Sequence, residues 1–247
     1  MPTAPLVTAE NLKVTIETGV YGRSLKHRIL GRCGARSTKL ILDGVAFSLR
    51  SGERVALLGE NGSGKTSLLR VIAGILPFSG HLNVMGTVHP LLAPTYGLDP
   101  ALTVRMNIRM VHTWKGRLQE CDAERENRIL MLADLPGVGD SHLGELSQGQ
   151  VARLAFAVAR MLRPDILLMD ESLAAADTSF VNQVARVLTA EDSPCRSFIL
   201  VSHDFSILRR MCNRALLLHR SQLYADGSVD ALIDAYENLQ EQVGGKP

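Results

Sequence analysis

Glu53-Arg-Val-Ala-Leu-Leu-Gly59-Glu-Asn-Gly-Ser-Gly-Lys65-Thr66 runs from a short apolar segment into a turn rich in glycine. From Gly59 onward it fits the pattern G-x-x-x-x-G-K-[ST]. Residues 53–58 read as a strand and residues 65–76 as a helix, with Leu68, Leu69, Ile72, Ile75 and Leu76 at helical spacing. Each part has a chemical reason. Glycines let successive backbone N–H groups turn inward around phosphate oxygens with no Cβ in the way. The helix that follows offers its positive N-terminal end to the same anion. Lys65 is placed to neutralise β and γ phosphates and Thr66 to ligate Mg²⁺. A glycine-rich turn with a purely structural role is the competing reading; the strand before it and the helix after it favour the phosphate loop.

Downstream, Ile166-Leu-Leu-Met-Asp170-Glu171 is an apolar strand ending in two acids. Open α/β sheets bind ligands at the C-terminal ends of their strands. Asp170 is placed to hold the Mg²⁺ shell through water, and Glu171 is the candidate general base for an attacking water. Acids also flank buried strands as plain solvated ends. The phosphate loop upstream is what turns this pair into a functional signal.

Around these motifs the chain alternates in character. Residues 6–16 and 39–49 read as strands joined by a long loop, and 81–88 as another strand. Residues 103–135 read as largely helical, with a charged stretch at 120–128, and 151–162 as a second amphipathic helix. Residues 198–202 and 215–218 are short apolar runs of the kind buried in a parallel sheet, and 228–242 reads as a closing helix. There is no internal repeat. This order predicts an α/β nucleotide-binding core with a helical lobe inserted at about 95–162. A chain of 247 residues, 46% hydrophobic, can bury one sizeable core or two unequal lobes. A formal net charge of +2 excludes a molecule-wide polyanion binder, and nucleic acid is not an expected partner. Cys33, Cys121, Cys195 and Cys212 form no C-x-x-C pair, so neither a zinc site nor a disulfide framework is indicated. Residues 1–10 lack the pattern of a signal peptide, and no apolar run approaches the roughly 20 residues that span a bilayer. The chain is expected to be soluble, with any membrane role arising through a partner or a surface contact.

Between the two motifs lies Leu146-Ser147-Gln148-Gly149-Gln150, which resembles the L-S-G-G-Q signature of ABC ATPases, with Gln148 in place of the first glycine. Ser147-x-x-Gln150 is also a capping box for the helix that follows, and both readings can hold because such a helix start attracts phosphate. Ser202-His203-Asp204, after an apolar strand, looks like the family's switch histidine, and Ala174-Ala-Ala-Asp177 like its D-loop. The four motifs appear in the family's order. The resemblance implies an α/β P-loop ATPase core with an antiparallel β subdomain and an inserted helical lobe, residues 1–247 forming a single ATPase domain. It implies that Gly59, Glu60, Asn61, Gly62, Ser63, Gly64, Lys65, Thr66 and Ser67 hold the phosphates of ATP. It assigns Mg²⁺ to Thr66 and Asp170, and catalysis to Glu171, His203 and Lys65. It implies a homodimer with two ATP molecules sandwiched head to tail, each phosphate loop facing Ser147, Gly149 and Gln150 of the other copy, with Asp177 nearby.

Two features depart from the family's pattern. Registering 88–108 on Leu102-Thr103 and Asn107 puts Pro94 where a glutamine usually links Mg²⁺ to the membrane partner. Proline supplies neither the amide nor a backbone donor, so a neighbour such as Thr95, or water, must serve if that link exists. Tyr21 is the candidate for the aromatic that stacks on adenine, with a plain surface tyrosine as the alternative. The segment 91–108 looks like the subfamily that exports O-antigen, capsule and teichoic acid, and the end of the chain at Pro247 is similar to its short, capsule-type form. That resemblance implies a lipid-linked polysaccharide as cargo, an integral-membrane permease as partner, and a peripheral location on the cytoplasmic face of the inner (plasma) membrane. Residues 18–42 hold six Lys/Arg and no acid. They read either as a contact with membrane, permease or a phosphate-bearing glycan, or as a solvated loop.

Overall fold

The computed structural model describes residues 4–18, 37–92, 95–171 and 177–244. Two sheets organise it. Strands β1 (Val7–Thr18), β2 (Ser37–Leu49) and β4 (Ser79–Val84) form an antiparallel sheet in the order β2-β1-β4. A six-stranded sheet runs β5-β6-β7-β3-β8-β9, formed by β3 (Arg54–Gly59), β5 (Val88–Leu92), β6 (Ile166–Asp170), β7 (Ser197–Val201), β8 (Arg214–His219) and β9 (Gln222–Gly227). All its pairings are parallel except β8 with β9.

The unbroken apolar runs of this sheet follow from burial on both faces. Val55, Leu57, Ile166, Leu168, Ile199, Val201, Leu216 and Leu218 pack toward the antiparallel sheet and helix α1 (Lys65–Ile72). Their alternate neighbours Ala56, Leu58, Leu167, Met169, Phe198, Leu200, Ala215 and Leu217 pack into a second cluster with the remaining helices. Those helices are α2 (Val104–Trp114), α3 (Ala123–Leu132) and α4 (Gln148–Leu162), all inserted between β5 and β6, then α5 (Thr178–Thr189), α6 (Phe205–Met211) and α7 (Val229–Gly244). Pro90 sits on β5, at the sheet's edge, where a missing N–H breaks no interior ladder.

The structure refines several expected boundaries. Helix α1 stops at Ile72 because Gly74, at φ +72°, closes a Schellman turn: Gly74 N–H donates to Val71 O and Ile75 N–H to Arg70 O. The long helical region expected over 103–135 divides by the same device. Gly116 N–H donates to Thr113 O and Arg117 N–H to His112 O, ending α2 before α3 begins under the Asp122 cap. The single strand expected over 81–88 is two strands in different sheets. The chain turns at Gly86 (φ +94°), where a Cβ would lie 2.6 Å from Asp165 Oδ2, and Thr87 then anchors to that carboxylate. Helices α5 and α6 and strand β9 are present in addition to the expected elements.

Candidate active site

Glycines shape the phosphate loop. Gly59, Gly62 and Gly64 have φ of +143°, +83° and +107°. A Cβ on Gly59 would lie 2.3 Å from Leu218 O, and one on Gly64 2.5 Å from Leu42 Cδ2 and 2.9 Å from Ile41 O. The loop is thus pressed against β8 on one side and β2 on the other. Gly64 is the N-cap of α1 and provides no side-chain cap, which leaves the first helical N–H groups to another acceptor. Lys65 is buried, and its ammonium donates to Gly59 O at 2.6 Å and Glu60 O at 2.9 Å. Burial pulls its pKa below the ordinary lysine value, opposed by the negative charges of Asp170, Glu171 and Glu60. Ser63 Oγ is buried without a partner in the same loop.

The end of β6 meets this loop. Thr66 Oγ1 donates to Asp170 Oδ2 at 2.6 Å, so the two residues expected to share a cation are already in contact. Both are hard oxygen donors of the type Mg²⁺ takes, and Mg²⁺ keeps waters and substrate oxygens for its other positions. Among the described residues no group of three or more His, Cys, Asp or Glu could hold a metal ion. One residue on, Glu171 has a left-handed backbone, φ +50°, and its N–H donates to Val201 O at 3.1 Å. A non-glycine residue pays strain for this conformation. The turn brings its carboxylate to His203, with Nε2 3.0 Å from Glu171 Oε1. His203 lies just past β7, so adjacent strand ends supply both partners.

The Ser147 cap forms in full: Gln150 N–H donates to Ser147 Oγ, and Ser147 N–H donates to Gln150 Oε1. Helix α4 starts at Gln148, three residues earlier than its apolar pattern alone indicates. Ser147, Gln148, Gly149 and Gln150 line a concavity with Asp134, Arg153 and Asp177. Among the described residues no hydrogen bond or ion pair joins the signature turn to the phosphate loop. Arg153 was passed over in sequence as part of an amphipathic helix; its spacing of three residues from Gln150, on the same helix face, was the available signal. Tyr21, Pro94 and residues 174–176 lie outside the described residues, as do residues 19–36 of the basic segment.

Residues 42–174 match the sequence model of the family described as ABC transporter. The chain belongs to that family. The chain is 32% identical over 199 residues to the O-antigen export system ATP-binding protein RfbB of Klebsiella pneumoniae, covering 80% of this chain and 81% of the relative. It is 34% identical over 209 residues to RfbE of Yersinia enterocolitica, an O-antigen export system ATP-binding protein, covering 83% and 86%. Against the teichoic acids export ATP-binding protein TagH of Enterococcus faecalis it is 33% identical, but spans only 44% of that longer chain. A dimeric ATP-binding cassette solved in a post-hydrolysis state with ADP and Pi matches with a TM-score of 0.72 and 21% identity, over 90% of this chain and 98% of that one. This ABC ATPase therefore has the α/β ATP-binding cassette fold. It is an ATP-binding, ATP-hydrolysing subunit.

Proposed function

We propose that this ABC ATPase is the motor of an exporter of lipid-linked cell-surface polysaccharide, working as a homodimer beneath a separate membrane permease. The observation that carries hydrolysis is the junction at the end of β6, where Thr66 touches Asp170 and Glu171 touches His203. The phosphate chain of ATP lies against the N–H groups of residues 59–67 and the Lys65 ammonium. Thr66 and Asp170 would hold Mg²⁺, which when bound would neutralise charge on the phosphate oxygens. Glu171 accepts the proton of the attacking water, and His203 fixes the carboxylate that does so. Ser147, Gly149 and Gln150 of the second copy close the site with Asp177 beside them, and Tyr21, outside the described residues, is the candidate for stacking on adenine. The whole chain acts as one ATPase domain, with residues 95–162 as its helical lobe.

The cargo reading is supported by the export functions in the names of the relatives and by the basic segment 18–42. Among the described residues no helix is long and apolar enough to cross a membrane, so ATP-driven closure would be passed to helices of a partner at the cytoplasmic face. Two measurements test the proposal. Glu171→Gln should reduce phosphate release to near zero with nucleotide affinity retained, since the amide keeps the shape but cannot take the proton; wild-type turnover in that variant would remove Glu171 from the base role. Deletion in the source organism should deplete surface polymer and build up lipid-linked glycan inside. Unchanged surface glycan with lost efflux of another compound would reassign the cargo.

A further inference from the structure

Asn107 takes part in no step above, yet it is a polar side chain with no exposed surface. Its Oδ1 accepts from Asp99 N–H at 2.7 Å. Its Nδ2 donates to Asp99 O at 2.9 Å and Thr103 O at 3.0 Å, with Leu102 O farther off at 3.4 Å. One carboxamide thus closes residues 99–103 into an arch at the head of α2. Asp99 Oδ1 tightens the arch by accepting from Ala101 N–H, and Thr103 Oγ1 caps the helix by accepting from Met106 N–H.

A second segment hangs on this arch through its main chain. Gly144 N–H donates to Pro100 O and Leu143 N–H to Leu102 O, both at 3.0 Å. Val104 N–H donates to Ser141 O at 3.0 Å and Arg105 N–H to Gly139 O at 2.9 Å. His142 Nδ1 meets Ala101 O at 3.0 Å. The approach is close: a Cβ on Gly144 would lie 3.2 Å from Pro100 O. Residues 139–144 then pass through a single 3-10 turn, Leu143–Glu145, to Ser147, the cap of α4.

We propose that Asn107 is a positioning residue for the signature turn. By fixing the arch 99–103 it fixes the paired segment 139–144, and so the place at which Ser147 and Gly149 meet the second copy's nucleotide. This inference rests on the sandwich reading above. The donors and acceptors explain the residue type. The arch presents one N–H and a set of carbonyl oxygens, and a carboxamide both accepts and donates twice. Aspartate would turn an oxygen toward those carbonyls, and an apolar side chain would leave buried main-chain groups without partners.

The test compares wild type, Asn107→Ala, Asn107→Ser and Ile129→Ala on the full chain. Ile129 is buried in α3 of the same lobe, so its truncation is a control for lost stability alone. ADP affinity, MgATP-driven dimerisation, kcat, thermal melting and amide exchange over 139–146 are measured on each. Asn107→Ala should raise the MgATP needed for half-dimerisation about tenfold and lower kcat about tenfold, with ADP affinity within about twofold, since the phosphate loop of each copy is untouched. Amide exchange over 139–146 should quicken, and Asn107→Ser, which keeps one donor, should fall between wild type and Asn107→Ala. Ile129→Ala should melt earlier yet dimerise as wild type per folded molecule. Folded Asn107 variants with wild-type dimerisation and kcat, or with slow exchange over 139–146, overturn the positioning role. The same dimerisation loss in Ile129→Ala, or failure of both Asn107 variants to fold, reduces Asn107 to packing. Wild type that neither hydrolyses nor dimerises would instead overturn the sandwich reading beneath it.

Discussion

Gly64 shows how little freedom the site leaves to a single residue. Its φ of +107° disfavours any side chain, and its missing Cβ makes room for Leu42 and Ile41 O. Gly64→Ala should cost on the order of 1–3 kcal/mol of stability. It should also weaken ATP binding, because relieving the clash moves the N–H groups that head α1. Gly62→Ala, with open space around it but φ +83°, should cost less, about 1 kcal/mol. Melting temperature and nucleotide titration on both variants would check the order. Wild-type affinity in Gly64→Ala would show that the loop tolerates displacement. At this scale the site was legible: glycine, lysine and threonine at fixed spacing carry the chemistry within one local stretch. Asp170 and Glu171 needed the phosphate loop to give them meaning. Arg153 was not legible, because its partners lie 19 and 24 residues away and only the fold brings them together.

Between elements, the seam joining β5 to α2 holds two buried imidazoles. His89 Nδ1 and His112 Nε2 have no partner. His112 Nδ1 meets Ile108 O at 2.8 Å. Around them, Lys115 donates to Val88 O, while Arg117 and Arg125 hold Leu162 O and Met161 O and share Glu120. Burial, with Lys115 and His112 nearby, pushes the His89 pKa from 6.5 to about 3, and burial lowers that of His112. The unfolded chain thus takes up protons first as pH falls. Stability should drop from about pH 6.5 downward by roughly 1.4 kcal/mol per pH unit for His89, until the folded ring itself protonates near 3, and His112 acts in the same direction. Denaturant midpoints between about pH 6.5 and pH 5 should fall in wild type and flatten in His89→Leu; equal slopes would show that His89 is already charged in the folded chain. Strand types were easier to read than helix ends. Two-faced burial marks β3, β6, β7 and β8 as continuous apolar runs, whereas α2 and α3 are divided by one glycine inside a continuing periodic pattern. Strand β9 alternates in exposure and carries a weak apolar signal, so it was missed.

For the whole molecule, the proposed head-to-tail pairing would make assembly conditional on nucleotide. The phosphate loop and the Glu171–His203 pair sit at strand ends of the six-stranded sheet, while the signature turn heads a helix in the inserted lobe. Two copies facing head to tail would bring the missing half to each site, and phosphate would then add attraction across the contact. Light scattering should report a monomer without nucleotide and a dimer with MgATP. Glu171→Gln should hold the dimer longer, since in the proposed cycle hydrolysis would open it. A monomer at saturating MgATP would count against the head-to-tail arrangement. Pro90 bears on assembly from another direction. At the rim of the sheet it deletes one hydrogen-bond donor from a row that would otherwise invite strand-by-strand growth. A chain with that rim is steered away from fibre-like stacking, which in the proposed head-to-tail pair would leave nucleotide to govern when two copies meet.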